Sequence, residues 1–147
     1  MRREDLRSYI KSGVDALSPS IKFNSGRITE FNSQRNNEYP YVWLESLSSA
    51  PEVADSGASY DVWAIIIHVA KKDKSDSIPE HYEALIDECD YIAQQLWSQY
   101  NTILSTSTKL TLTGGARDPF IHKHADDTTG VILTFSIQDF SPTPICE

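Results

Sequence analysis

Apolar residues recur along this chain at two different periods, and the periods divide it into helices and strands. Leu6, Tyr9, Ile10, Val14 and Leu17 share one stripe of a helix predicted over about Glu4 to Leu17. Gly13 weakens that helix, and Pro19 ends it. The clearest helical period runs through Tyr82, Leu85, Ile86, Cys89, Ala93, Leu96, Trp97 and Tyr100, predicting a helix over about Ile78 to Tyr100. Ser77 and Glu80 form a capping-box pattern at its start, and Pro79 suits its first turn. Its opposite face carries Glu83, Asp87, Asp90 and Gln94, which reads as a solvated face.

Between and after the helices the period falls to two. Arg27 to Phe31, Tyr41 to Leu47 and Tyr60 to Val69 read as three strands. In the third, Trp63, Ile65, Ile67 and Val69 face one way, and Tyr60, Val62, Ala64, Ile66 and His68 the other. Both faces are apolar, so this strand is expected to be central and covered on both sides, by the chain itself or by another subunit. Lys109 to Thr113 is a short strand broken at Gly114-Gly115, and Phe120 to Lys123 is a further short strand. Gly130 to Phe140 is a strand with Val131, Leu133, Phe135 and Ile137 on one face and polar residues on the other. Asn32 to Glu38, Ser48 to Ser59 and Gly114 to Thr129 read as long loops, and such loops at hairpin ends suggest contacts with neighbouring chains. The element order α-β-β-β-α-β-β gives an α+β class: an antiparallel sheet of about five strands with both helices packed on one face.

A length of 147 residues fits one domain over 1–147, with 141–147 a proline-containing C-terminal arm. A net charge of -8 disfavours broad nucleic-acid binding, but it suits a wall that DNA slides past without sticking. Cys89 and Cys146 form no CxxC pair, which fits a reducing compartment. No apolar run is long enough to span a membrane, and the start lacks the apolar core of a signal peptide.

Chemistry-bearing residues are few. His122 and His124, with Asp126 and Asp127 just after, could share a metal ion if extended, but spacing fixes no third ligand, and a polar hairpin loop is the plainer reading. His68 is either a buried general base or a core or interface histidine with a satisfied hydrogen bond. Cys89 lies on the apolar stripe of its helix and reads as core. Gly114-Gly115-Ala116-Arg117 lacks the spacing of a phosphate-binding loop and reads as a turn or bulge. No catalytic, cofactor-binding or metal set is expected.

Tyr39-Pro40-Tyr41-Val42-Trp43-Leu44, a long loop, the strand Tyr60 to Val69, a charged linker, a long helix and the closing Gly130 to Ile137 strand together resemble the tail-terminator or tail-completion proteins of bacteriophages. The resemblance covers about Glu4 to Phe140 and rests on element order and strand texture. It implies a structural virion protein without catalysis, assembled in the host cytoplasm. Such proteins form a homo-oligomeric ring at the neck, six-fold or alternatively twelve-fold. The ring caps the tail tube and meets the portal, connector or head-completion proteins, and the genome passes through its lumen without specific binding. The expected ion-pairing residues between copies are Arg35, Glu52, Asp55, Arg117 and Lys123, with the loops Ser48 to Ser59 and Gly114 to Thr129 supplying one side of a heterologous interface. Two other readings stay open. One is a different phage neck, head-completion or tail-tube component. The other is a small-molecule-binding or enzymatic α+β domain using His68, or His122 and His124.

Overall fold

The computed structural model of the chain describes residues 2–17, 21–26, 40–72, 79–104, 109–123 and 128–140. The elements in chain order are α1 (Arg3–Leu17), β1 (Lys22–Gly26), β2 (Tyr41–Glu45), β3 (Ser48–Val53), β4 (Ser59–Lys72), α2 (Pro79–Leu104), β5 (Leu110–Lys123) and β6 (Thr128–Asp139). The class is α+β, with two helices and one mixed sheet of six strands.

The sheet is organised around β4. Its strand order is β1-β2-β4-β6-β5, with β3 also paired to β4. On one edge of β4, β2 pairs with the far half (Leu44 opposite Ile67) and β3 with the near half (Ser48 opposite Ala64). Strands β2 and β3 therefore occupy one lane, interrupted at Ser46 and Leu47. On its other edge, β4 pairs with β6 from Asp61 opposite Asp139 to Lys72 opposite Thr128.

Both helices cover the same face of this sheet. Leu6, Ile10 and Val14 of α1 and Cys89, Ala93, Leu96 and Tyr100 of α2 are fully buried. They share one core with Val42, Leu44, Trp63, Ile65, Ile67, Val69, Val131, Leu133, Phe135 and Ile137. Each buried aliphatic side chain here contributes about 1.5–3 kcal/mol of transfer free energy. The helical period and the strand alternation thus meet in one layer. Tyr100 ties the helices together by donating its hydroxyl to the Ile10 carbonyl at 2.7 Å. Lys71 of β4 pairs with Glu88 of α2, and Arg117 of β5 with Asp90 of α2.

Several expectations change. The sheet is mixed, because β1 runs parallel to β2, from Lys22 opposite Tyr41 to Gly26 opposite Glu45. The segment Lys-Phe-Asn-Ser-Gly has turn-like composition and only one apolar residue, Phe23, which packs on the core. The predicted strand Arg27 to Phe31 lies outside the described residues. Ser48 to Ser59 is not one long loop: it is strand β3 and a tight turn into β4. Ala54 N–H donates to the Ala58 carbonyl at 2.9 Å and Gly57 N–H to the Ala54 carbonyl at 2.8 Å. Gly57 supplies the positive φ of 86° that this turn needs. Gly114 to Thr129 is likewise mostly strand. β5 runs through Gly114-Gly115 with a bulge between Thr113 and Ala116 and a second irregularity between Phe120 and Lys123. Gly114-Gly115 is thus the bulge that its sequence allows, not the end of the strand, and pairing with β6 resumes at Ala116.

Among the described residues, the chain itself covers the face of β4 away from the helices only in part. Tyr41, Trp43, Ala70 and Phe120 pack there around His68 at one end. Towards the other end Ala64 is exposed, and Val62, Ile66, Ile132 and Thr134 are half-buried.

Candidate functional site

Three surfaces carry the chemistry that the described residues offer. The first is the β3–β4 hairpin. Every residue of β3 is exposed, and Val53 at its end is 71% exposed. Glu52 lies opposite Tyr60 and accepts its hydroxyl at 2.8 Å. That hydrogen bond to a carboxylate raises the Tyr60 pKa, and the nearby Asp55 adds to the effect. Phe140 packs on Tyr60 with tilted rings and centroids 4.8 Å apart, which braces the hairpin near its turn. The segment from Ser46 to Tyr60 holds Glu52 and Asp55 and no Lys or Arg, so the hairpin is anionic.

The second surface is a cleft of about 410 Å³ between α2 and β5, lined by Gln94, Trp97, Gly115, Arg117 and Leu133. Trp97 is half-buried and sits edge-on to Phe135 at 5.6 Å. Arg117 offers its Nε to Asp90 at 3.4 Å, and Gln94 donates to the same carboxylate at 2.8 Å. A guanidinium carries five N–H donors, so one contact through Nε leaves it capacity for a further acceptor. Arg117 is 39% exposed at the cleft rim. The sequence places Trp97 on the core stripe and Asp90 on a solvated face. In the structure Trp97 packs half-buried against the core and also lines this cleft, and Asp90 is placed beside the cleft by its contacts with Arg117 and Gln94. The fit of Asp90 to Arg117 depends on β5 register, which helical periodicity does not encode.

The third is the His68–Glu45 pair on the sheet face away from the helices. His68 Nε2 lies 2.8 Å from Glu45 Oε2. The His68 side chain is 3% exposed and the Glu45 side chain 28%. Phe120 meets the imidazole edge-on at 6.3 Å. Trp43 lies opposite His68 in the register, and its own indole donates to the Gly26 carbonyl at 3.1 Å. Burial raises the pKa of the neighbouring Tyr41, against a smaller lowering by Asn24. His68 is thus buried with its Nε2 hydrogen-bonded to a carboxylate, a geometry common to both sequence readings of this residue.

The predicted interface residues fall into two groups. Glu52 and Asp55 sit at the hairpin, and Arg117 sits at the cleft. Arg35 and His124 lie outside the described residues, as do the side chains of His122 and Lys123, so the metal reading of the histidine pair falls there too. Among the described residues no group of three or more His, Cys, Asp or Glu side chains could hold a metal ion. Cys89 is buried, its thiol directed at the Thr129 carbonyl at 3.8 Å, and burial pushes its pKa up to about 12. Such a thiol is inert at neutral pH. Cys146 lies outside the described residues. No described helix is long and apolar enough to cross a membrane. No family model and no curated protein matches this chain.

Proposed function

We propose that the chain is a structural virion protein that forms a ring at the head–tail junction of a bacteriophage, as its resemblance to tail terminators implies. The observation that best supports this reading is β3. Ordering a strand costs about 1–2 kcal/mol per residue in backbone entropy. This one buries none of its own six residues in the fold. An ordered element that adds nothing to the core, and ends on an exposed valine between two acids, suits contact with another chain. The chain's net charge of -8 suits a conduit that does not hold DNA. In this reading the ring caps the tail tube, meets the connector or head-completion proteins, and encloses the DNA path. Six copies are the first expectation and twelve the second.

The His68 form of the enzymatic alternative draws less support, because that side chain is only 3% exposed, and the form that uses His122 and His124 falls outside the described side chains.

The test is the size and shape of the purified chain at rising concentration, by mass photometry and negative-stain electron microscopy. Closed rings of six or twelve times 16.6 kDa are expected. A chain that stays monomeric to its solubility limit, alone and with isolated tail tubes, contradicts the ring.

A further inference from the structure

We infer that the turn of the β3–β4 hairpin docks into the α2–β5 cleft of a second copy of this chain. Val53 enters over Trp97 and Leu133, and Glu52 or Asp55 pairs with Arg117. The inference rests on the ring reading and specifies its contact.

Topology makes the two surfaces suitable for repeated head-to-tail contact. β3 lies on one edge of β4, and β5 lies beyond β6 on the other. With strands about 4.8 Å apart, three lanes separate the donor and acceptor edges by roughly 14 Å. Unlike patches on opposite edges allow each copy to give its hairpin to one neighbour and its cleft to another. They add copies in one direction, and that closes into a ring when the rotation allows.

Chemistry matches the two surfaces. The hairpin offers an apolar side chain flanked by carboxylates and no cation. The cleft offers an apolar floor of Trp97 and Leu133 and a cation at the rim. Both partners are held before contact: Glu52 by Tyr60, and Arg117 by Asp90. Preorganisation of this kind reduces the ordering cost of binding.

Simple pairing of the two edge strands is a poorer fit. Pro51 removes a donor from β3, and Pro119 and two irregularities interrupt β5. These features blunt a sheet edge against strand addition. Side-chain docking needs no continuous backbone ladder.

A charge-swap series on the full chain tests the contact, read by mass photometry with circular dichroism as the folding control. Glu52→Lys with Asp55→Lys lies on the exposed hairpin and is expected to keep the fold while weakening assembly about tenfold or more. Arg117→Glu is expected to weaken it similarly. A sample mixing the two variants brings lysine hairpins to glutamate clefts, and is expected to recover part of the loss. Val53→Ser is expected to weaken assembly without altering any charge. Rings that form unchanged in all four cases overturn the docking but leave the ring reading standing. Loss of assembly with Arg3→Glu and Arg7→Glu, and not with Arg117→Glu, likewise overturns it by moving the acceptor to the α1 face. A parent chain that never assembles overturns both.

Discussion

Replacing Gly13 with alanine sets two opposed effects against each other, and the structure decides between them. In an isolated helix the change favours folding by about 1 kcal/mol, because alanine is the better helix former. In α1 the added methyl would overlap Cε1 of Tyr100 and lie 2.9 Å from its Cζ and 3.0 Å from its hydroxyl oxygen. The ring has little room to withdraw. Its hydroxyl is bonded to the Ile10 carbonyl at 2.7 Å, and Tyr9 and Phe135 flank it at 5.7 and 5.8 Å. Overpacking of this kind costs about 1–3 kcal/mol, and more where the neighbour is fixed. The expected net effect of Gly13→Ala is a loss of about 1–2 kcal/mol, seen as a fall of roughly 3–8 °C in Tm. Urea unfolding followed by circular dichroism and tryptophan fluorescence measures it. In a Tyr100→Leu background the same alanine should be neutral or stabilising, because the obstructing ring is gone. A Gly13→Ala protein as stable as its parent would refute the reasoning, as would an equal loss in the Tyr100→Leu background.

Other consequences are open to measurement. His68→Ala is expected to cost about 2–4 kcal/mol, combining a cavity with a carboxylate left unpaired, and Glu45→Gln less than about 1.5 kcal/mol. A double-mutant cycle should show the two losses to be non-additive, and additivity would mean that the pair is not coupled. The Cys89 thiol ionises only near pH 12 in the fold, against an ordinary value of 9.0. Its contribution to stability is therefore full below pH 9 and is lost as pH rises towards 12, at up to about 1.4 kcal/mol per pH unit. Burial raises Tyr9 to about 12 and raises Tyr100 as well, so both add to the decline above pH 10. Cys89→Ala should flatten the first part of an alkaline unfolding profile, and an unchanged profile would argue against a buried thiol. Lys71→Met removes an ion pair whose two ends both reach solvent, so a change beyond about 1 kcal/mol in chemical denaturation would be unexpected.

What the sequence made legible follows from how local each signal is. The α2 stripe and the β4 and β6 alternations repeat many times, and they placed Ile86 to Tyr100, Trp63 to Val69 and Val131 to Ile137 on the core, whereas Tyr82 and Leu85 at the start of the stripe lie outside it. The face of β4 that carries Trp63 is the helix-covered one, as the pattern allows. β1 stayed hidden because a five-residue strand with Asn24, Ser25 and Gly26 owes its extension to pairing with β2, not to its own propensity. β3 stayed hidden for a similar reason. Serine, proline and glutamate read as loop, and only the register with β4 makes them a strand. β5 continues past Gly114-Gly115 because pairing with β6 resumes at Ala116, beyond the bulge in which the glycines sit. The sequence singles out Glu52, Asp55 and Arg117 as charged candidates for a contact between copies, and the fold leaves all three exposed. No such signal marks Val53 and Trp97. Val53 reads as loop and Trp97 as core, and only the fold sets the first at a hairpin end and the second in a cleft.

The central claim is a ring of this chain at the neck of a phage particle. Cryo-electron microscopy of the virion, with the chain traced in the density between head and tail, tests it most directly. The expected result is a closed ring around the DNA path, with each hairpin seated in the α2–β5 cleft of the next copy. A complete particle whose neck density leaves no place for this fold would contradict the claim.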